Sequence, residues 1–267
     1  MTSTHDDLAP HELAMALLPL AREAGAAIMA IYATPFVARS KEDRSPVTDA
    51  DDAAEAIILA GLRKLTPAIP VVAEELATRG EAPAVGSAPF WLVDPLDGTR
   101  EFIERNGEFT VNIALIEAGR PVLGIVLAPA LEIAWLGTPR GALRFDRQSG
   151  AAGRTITARP VPKVSALVLV SRNHREPAVD TWLRQQMAPE TRTVGSSLKF
   201  CQIAEGAADL YPRFASISEW DTAAGQAVLE AAGGAVVTWN GSTEGPALAY
   251  GKKDFRNPAF LARGAKS

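Results

Sequence analysis

The sequence predicts an α/β protein with an α+β first half and an α/β second half. Three observations support this prediction. Residues 13–32 are rich in alanine and carry Leu and Ile at the spacing of an amphipathic helix. Residues 71–73 and 90–93 are short apolar runs, typical of buried strands, and each run ends in carboxylates. After Pro160, apolar strand segments alternate with helical segments, which is the pattern of an α/β fold.

Breakers and capping residues position the helices of the first half. Pro19 lies inside the first helical stretch and predicts a kink or a later start. A second helix is expected to open at Thr48 or Asp49, both good capping residues, and to run to about Lys64. Apolar runs and turn residues predict the rest of this half: strands at 109–117, 121–128 and 134–136, then loop with one short strand over 137–154.

The second half is predicted to contain a buried strand and three helices. The strand spans 166–170, and the helices span 180–187, 198–205 and 221–232. Two glycines follow the last helix, as expected at a helix end. After Pro160 the chain changes to alternating strand and helix segments, and this change of pattern predicts a division into 1–158 and 159–267.

Net charge and cysteine content narrow the class of protein. Lys plus Arg number 27 against 31 Asp plus Glu, so the net charge is −4 and a nucleic-acid partner is not expected. Cys201 is the one cysteine in the chain, which rules out an internal disulfide and fits a reducing cytoplasm. The acidic first residues do not resemble a signal peptide. No run approaches the roughly 18 uncharged apolar residues of a membrane span. A cytoplasmic protein without a transmembrane segment is therefore expected.

The candidate functional residues are carboxylates at the ends of apolar segments. Phosphate-loop, dinucleotide and zinc motifs are missing from the sequence, and its three histidines are scattered. The carboxylates are those of Glu74, Glu75, Asp94, Asp97 and Asp221. Side chains at strand ends converge over one edge of a sheet. Packed carboxylates repel one another unless a cation neutralises them, and hard oxygen ligands favour Mg²⁺ over zinc or copper.

The same segments also fit simpler interpretations. Residues 94–98, Asp-Pro-Leu-Asp-Gly, consist of residue types that dominate turns for local reasons. Glu74 and Glu75 are equally typical of a solvated pair. Composition and spacing alone leave these interpretations open.

Four motifs, taken in order, resemble the signatures of one enzyme superfamily. Residues 91–99, Trp-Leu-Val-Asp-Pro-Leu-Asp-Gly-Thr, and residues 220–225, Trp-Asp-Thr-Ala-Ala-Gly, are similar to the two signatures of the lithium-sensitive, magnesium-dependent phosphomonoesterases. Glu74-Glu75 and residues 45–51 lie at the expected places upstream. The match covers nearly the whole chain, which is identified as a member of the inositol monophosphatase superfamily.

Three further stretches resemble one branch of that superfamily. They are residues 100–112, 195–201 and 210–214. They look like the 3′(2′),5′-bisphosphate nucleotidase family, which removes the 3′-phosphate of adenosine 3′,5′-bisphosphate.

The resemblance implies a fold and a metal site. The fold is the layered αβαβα sandwich of the sugar-phosphatase type, with the site between its two halves. Two or three Mg²⁺ ions would be held by Glu74, Asp94, Asp97 and Asp221, together with the carbonyl of Leu96. Asp221 is also expected to begin a helix, where its charge suits the helix dipole.

The resemblance also implies a water-activating pair. Asp51 and Thr99 are similar to the residues that orient and deprotonate the attacking water, and Glu74 is counted with them as catalytic. Asp49 would then be only a helix cap.

Substrate-binding residues follow from the same resemblance. The reacting phosphate would lie against Leu96, Asp97, Gly98, Thr99 and Asp221. Ser196, Lys199 and Arg213 would hold the second phosphate and the nucleoside. His174 resembles a family histidine near the nucleotide, and Lys41 resembles a lysine on a loop that closes over the phosphate. Taken singly, each of these cations is equally ordinary in a surface loop.

The implied activity is Mg²⁺-dependent hydrolysis of a nucleotide bisphosphate by direct attack of water, without a covalent enzyme intermediate. Hydrolysis of 3′-phosphoadenosine 5′-phosphosulfate stays open. The alternatives are an inositol phosphate or fructose 1,6-bisphosphate as substrate, or a non-catalytic metal-binding regulatory module. Inhibition by Li⁺ and a homodimer are expected from the superfamily, and peripheral contact with the inner face of a membrane stays open.

Overall fold

The computed structural model describes residues 8–40, 46–173 and 176–266. Its α-helices are α1 Pro10–Tyr32, α2 Asp49–Leu65, α3 Glu74–Thr78, α4 Thr99–Ile103, α5 Pro177–Leu183, α6 Leu198–Ala204 and α7 Ala223–Ala231. Its strands are β1 Arg39–Ser40, β2 Pro46–Val47, β3 Val71–Ala73, β4 Phe90–Asp97, β5 Thr110–Glu117, β6 Arg120–Ala128, β7 Ile133–Thr138, β8 Gly141–Phe145, β9 Arg154–Ile156, β10 Leu167–Ser171, β11 Glu190–Val194, β12 Leu210–Arg213, β13 Ile217–Ser218, β14 Ala235–Trp239, β15 Glu244–Ala247, β16 Arg256–Asn257 and β17 Phe260–Arg263.

Two large sheets alternate with three layers of helix. The seven-stranded sheet has the order β3-β4-β5-β6-β7-β8-β9, and the six-stranded sheet has the order β11-β10-β12-β17-β14-β15. Helices α1 and α2 cover the outer face of the first sheet, while α6 and α7 lie between the two sheets. Trp182 of α5 packs on the outer face of the second sheet. The predicted αβαβα sandwich is therefore confirmed.

Strand β4 shows why the apolar runs of this sequence are continuous. Trp91 and Val93 face α1 and α2, whereas Phe90 and Leu92 face the layer of α6 and α7. A strand that is covered on both faces needs an apolar residue at every position. The unbroken run 90–93 is thus explained by burial on two sides.

Helix α1 begins at Pro10, so the later start that Pro19 predicted is wrong. Proline suits the first turn, because its missing N–H has no partner there. By length and composition α1 is also apolar enough to cross a membrane, which corrects the expectation that no run approaches this character. Leu17, Ala21 and Ile28 are fully buried on the face that packs against α2 and β6. Core helices of globular proteins have this same character.

Other element bounds differ from the predictions. Helix α5 begins three residues before 180, again with proline in its first turn, and it ends at Leu183. The last helix, α7, begins at Ala223 instead of 221. Residues 137–154 contain all of β8, where Arg144 pairs with Glu205 at 2.8 Å. The short strand predicted within 137–154 is therefore confirmed.

The chain passes from the first sheet to the second between β9 and β10. The apolar core between the sheets contains residues from both of them, including Leu92 and Leu169. The two halves thus share one core. The division of the chain after residue 158 stays a prediction.

Close contact between α7 and the first sheet depends on two glycines. A Cβ at Gly124 of β6 would lie 2.5 Å from the carbonyl oxygen of Ala224. A Cβ at Gly137 of β7 would lie 2.4 Å from the carbonyl oxygen of Ala227. Both distances are far below van der Waals contact with backbone atoms that cannot rotate away. These glycines therefore set the distance between α7 and the sheet.

We expect Gly137→Ala to destabilise the protein, because the added methyl group forces α7 away from β7. Overpacking of this kind costs about 1–3 kcal/mol. Gly86→Ala is the matched control, since no atom of the described residues beyond its two chain neighbours lies within 4 Å of its added Cβ. Urea unfolding of both variants measures the difference. Equal stability of the two variants would contradict this packing of α7.

Candidate active site

A cleft of about 430 Å³ opens where the ends of parallel strands from both sheets meet. In the first sheet β3 runs parallel to β4, so Glu74 and Asp94 lie at the same edge. In the second sheet β10 runs parallel to β11 and β12, whose ends bring Ser196 and Arg213 to the cleft. Ligand clefts of α/β proteins form at such edges.

Ten of the residues predicted from the sequence line this cleft. They are Glu74, Asp94, Leu96, Asp97, Gly98, Thr99, Ser196, Lys199, Arg213 and Asp221. Asp51 lies directly behind Thr99. His174 and Lys41 lie outside the described residues. The fold thus brings together groups that are far apart in the chain.

A bulge in β4 turns two aspartates toward the cleft. The pairing of β4 with β5 shifts register between Asp94 and Asp97, where Pro95 has no N–H to offer the ladder. The N–H of Leu96 donates to Asp94 Oδ1 at 3.0 Å. Gly98, with φ of 95°, then starts α4 in a left-handed conformation that favours glycine. This order of residues gives the segment its shape.

Thr48 and Asp51 form a capping box at the start of α2. The Thr48 N–H and hydroxyl both donate to Asp51 Oδ2, at 2.7 and 2.8 Å. Asp49 is an exposed residue inside the first turn and pairs with Arg39 at 3.0 Å. The prediction that Asp49 caps the helix is wrong, because Thr48 occupies that position.

The second oxygen of Asp51 connects this helix start to Thr99. The Thr99 hydroxyl lies 3.2 Å from Asp51 Oδ1 and 3.3 Å from the carbonyl oxygen of Leu96. Asp51 is 1% exposed, and this burial raises its pKa to about 7, against the lowering effect of the bonds from Thr48. A carboxylate with such a pKa can take up a proton near neutral pH.

The other aspartates of the cleft also resist ionisation. Burial raises the pKa of Asp94 well above its ordinary value, and the charges of Glu74, Asp97 and Asp221 raise it further. Burial raises the pKa of Asp97 to about 7, although Lys199 opposes this rise. The pKa of Asp221 is raised well above its ordinary value by burial and then by Asp97 and Glu74. The cleft therefore gathers carboxyl groups whose ionised forms are disfavoured, and a bound cation would favour their ionisation.

Asp221 lies in a turn before α7, so the prediction that it begins the helix is wrong. Its Oδ2 accepts the N–H of Ser218 at 3.2 Å, and the helix is capped one residue later. The neighbouring Glu219 is fully buried and accepts the N–H groups of Gly251 and Lys252 at 2.8 and 3.1 Å. These bonds fix the turn that carries Asp221.

Cations lie on the side of the cleft that belongs to the second sheet. Lys199 is 4% exposed, and its Nζ donates to the carbonyl oxygen of Ser196 at 2.6 Å and lies 4.9 Å above the ring of Tyr211. Burial lowers its pKa to about 8, while Asp97 opposes the change. Arg213 pairs with Glu176 at 3.1 Å. Its buried Nε has no hydrogen-bond partner among the described residues.

Three further arginines of the cleft, Arg100, Arg172 and Arg256, were missed by the sequence analysis. Arg172 donates to Glu108 at 2.9 Å, and Arg256 donates to the Ser218 hydroxyl at 3.0 Å. Arg172 directly follows β10, so its position at a strand end was the one available signal. Nothing in the sequence around Arg256 indicates that it faces the cleft.

A divalent cation fits this site by its chemistry. In the described part of the chain, no three Asp, Glu, His or Cys side chains already form a metal-ligand group. Asp97 instead accepts the N–H of Ser197 at 2.5 Å, just as Asp221 accepts that of Ser218. Several buried carboxylates that raise one another's pKa nevertheless offer hard oxygen ligands, which suit Mg²⁺.

The model of the inositol monophosphatase family matches residues 9–265. The chain therefore belongs to the inositol monophosphatase family.

Relatives within the family carry a more particular name. A protein of Salmonella typhimurium named 3′(2′),5′-bisphosphate nucleotidase CysQ is 48% identical over 244 residues, which are 90% of this chain and 95% of that protein. The protein of the same name from Escherichia coli strain K12 is 46% identical over 243 residues, with the same coverage of 90% and 95%.

Solved structures agree with the fold. CysQ from Bacteroides thetaiotaomicron superposes with a TM-score of 0.78 at 35% identity, over 96% of this chain and 98% of that one. An inositol monophosphatase from Anabaena superposes with a TM-score of 0.75 at 25% identity, over 96% and 91%. The chain is thus an enzyme of this family that resembles CysQ nucleotidases along most of its length.

We expect Asp94→Asn to stabilise the metal-free protein. A carboxyl group whose pKa is raised on folding contributes stability below its unfolded pKa, and this stability is lost as the pH rises through the folded pKa. Asparagine keeps the shape and an oxygen that can accept the Leu96 N–H, but it carries no charge. Melting temperature in EDTA should therefore rise by several degrees at pH 8 and should depend less on pH between 5 and 8.

Glu117→Gln is the control, because Glu117 is an exposed carboxylate at the far end of β5. Its melting profile should follow that of the unaltered protein. A lower melting temperature for Asp94→Asn at pH 8 would contradict the account of repelling carboxylates.

Proposed function

We propose that this enzyme hydrolyses the 3′-phosphate of adenosine 3′,5′-bisphosphate to give AMP, in a reaction that requires Mg²⁺. One observation carries the proposal: a single cleft has acidic groups on one side and the buried cations Lys199 and Arg213 on the other. A substrate with two phosphates matches this division. The name 3′(2′),5′-bisphosphate nucleotidase, which the CysQ relatives carry, supports the same substrate class.

Glu74, Asp94, Asp97 and Asp221, with the carbonyl of Leu96, are the residues that would hold the metal. When bound, Mg²⁺ supplies positive charge that offsets the phosphate and polarises the attacking water. The carboxylates themselves would repel a phosphate, so the reacting group depends on the cation they would hold.

Asp51 and Thr99 act on the water. The Thr99 hydroxyl donates a hydrogen bond to Asp51, so its oxygen is left to accept a hydrogen bond from the attacking water and to orient it. Asp51, with a pKa of about 7, then takes up the proton that the water loses. The N–H groups of Gly98 and Thr99 face the phosphate oxygens.

The second phosphate lies against Lys199, Arg213 and Ser196. The unpartnered Nε of Arg213 can donate to a phosphate oxygen, and Ser196 supplies a hydroxyl. Arg172 and Arg256 add positive charge to the same cleft. A site for inositol monophosphate needs no such group of cations.

The test is a substrate panel at fixed Mg²⁺ with matched samples in EDTA. We expect phosphate release from adenosine 3′,5′-bisphosphate to exceed that from inositol monophosphate and fructose 1,6-bisphosphate, and EDTA to abolish it. The same panel decides whether 3′-phosphoadenosine 5′-phosphosulfate is hydrolysed and whether Li⁺ inhibits. Better turnover of inositol monophosphate would overturn the nucleotidase proposal, and activity in EDTA would overturn the metal requirement.

We expect Thr99→Val to lower kcat by roughly 10²–10⁴-fold, since the isosteric side chain cannot orient or relay a proton. KM should change little, because valine keeps the volume of threonine. Thr99→Ser retains the hydroxyl and should recover most of the rate in steady-state assays. A loss confined to KM would show that Thr99 only positions the substrate.

We expect Lys199→Met to lower kcat/KM for the bisphosphate by roughly one to two orders of magnitude, because a charge-assisted hydrogen bond contributes about 1.5–3 kcal/mol. Methionine keeps the length of the buried side chain without its charge. Turnover of a small monophosphate, which cannot reach this part of the cleft, should fall far less, because it loses only the support that Lys199 gives to the loop of Ser196. Equal losses on both substrates would contradict the role of Lys199 at the second phosphate.

A homodimer, a cytoplasmic location and the number of Mg²⁺ ions per site stay predictions. The single, buried cysteine supports the cytoplasmic location.

A further inference from the structure

Three buried polar side chains form a closed hydrogen-bonded ring beside the cleft. The Ser197 hydroxyl donates to Asn112 Oδ1 at 2.7 Å, and the Asn112 amide donates to Thr110 Oγ1 at 3.5 Å. Because the Ser197 hydroxyl already donates to Asn112, the Thr110 hydroxyl is the donor in its 2.8 Å hydrogen bond with Ser197. All three residues are at most 1% exposed. Each member thus donates one hydrogen bond to the next and accepts one in return.

The ring joins the two halves of the molecule. Thr110 and Asn112 belong to β5 of the seven-stranded sheet, whereas Ser197 directly precedes α6, which follows the edge strand β11 of the six-stranded sheet. Ser197 lies 85 residues from Asn112 and 87 residues from Thr110 in the chain. Burying polar side chains costs free energy of folding unless each polar group has a hydrogen-bond partner. The ring satisfies these groups and fixes the position of Ser197.

The backbone of Ser197 connects the ring to the carboxylates of the cleft. The Ser197 N–H donates to Asp97 Oδ2 at 2.5 Å. The preceding residue, Ser196, has φ of 47°, a left-handed conformation that costs energy for a residue other than glycine. Lys199 holds that residue by donating to its carbonyl oxygen at 2.6 Å. The loop is therefore kept in a strained shape that aims one N–H at Asp97.

We propose that Thr110 and Asn112 are positioning residues, which set the orientation of Asp97 for the divalent cation by fixing Ser197. This inference rests on the proposed function, because it assigns Asp97 to the metal site. Partners that orient metal ligands typically change metal affinity by about 10–100-fold when they are removed. The ring also links Asp97 to the loop of Ser196 and Lys199, so the metal side and the second-phosphate side of the cleft share one support.

The test compares Mg²⁺ binding to two threonine-to-valine variants by calorimetry, without substrate. Thr110→Val removes the ring hydroxyl at constant volume, and we expect it to weaken Mg²⁺ binding about tenfold. Thr110→Ser keeps the hydroxyl and should restore the affinity. Thr66→Val is the matched control, because the fully buried Thr66 hydroxyl bonds Trp91 and Leu62 instead of the cleft.

Both valine variants are expected to lose stability, but only Thr110→Val should lose Mg²⁺ affinity. Unaltered affinity in Thr110→Val, with the unaltered enzyme still binding Mg²⁺ and hydrolysing the bisphosphate, would overturn this inference alone. An equal loss of affinity in Thr66→Val would also overturn it, since the effect would then be a general consequence of destabilisation. An unaltered enzyme that binds no Mg²⁺ would overturn the metal-dependent proposed function and this inference together.

Discussion

The burial of several carboxylates in one place, together with their mutual repulsion, is the constraint on which the cleft depends. Asp94, Asp97 and Asp221 are brought to one place from strand ends and a turn, where burial and neighbouring charges raise the pKa of each. Backbone N–H groups face all three side chains, but one N–H is a weak partner for a full charge. Such an arrangement lowers the stability of the folded protein, so it is retained only where the carboxylates serve another purpose. In the proposed function, that purpose is the binding of a divalent cation and, through it, of phosphate.

The topology of the two sheets makes this concentration of charge possible. Parallel strands end at a common edge, and both sheets direct such an edge at the same cleft. The first sheet contributes acidic residues and the second contributes Lys199 and Arg213. Their opposite charges divide the cleft into two regions, and the ring of Thr110, Asn112 and Ser197 ties the regions together. The packing of α7 on Gly124 and Gly137 holds the turn of Asp221 against the first sheet.

The sequence predicts those features of the fold and site that depend on residues close together in the chain. Residues 90–97 combine an apolar run with carboxylates, so both the strand and the acidic edge could be predicted. Local rules failed where two candidates compete, as when Thr48 instead of Asp49 caps α2. They failed again at Asp221, where burial of Glu219 fixes a turn ahead of the helix. Contacts between distant residues, such as Ser197 with Asn112, leave no periodic signal in the sequence.

Proton release on Mg²⁺ binding follows from the raised pKa values of Asp94, Asp97 and Asp221. If the carboxylates hold protons near neutral pH because burial and neighbouring charges disfavour their ionisation, a divalent cation must displace those protons as it binds. Calorimetric titration of the metal-free protein at pH 7, in two buffers with different ionisation enthalpies, counts the protons released. We expect a net release at pH 7 that declines as the pH is raised toward 9. Tight Mg²⁺ binding at pH 7 without any proton release would contradict the account.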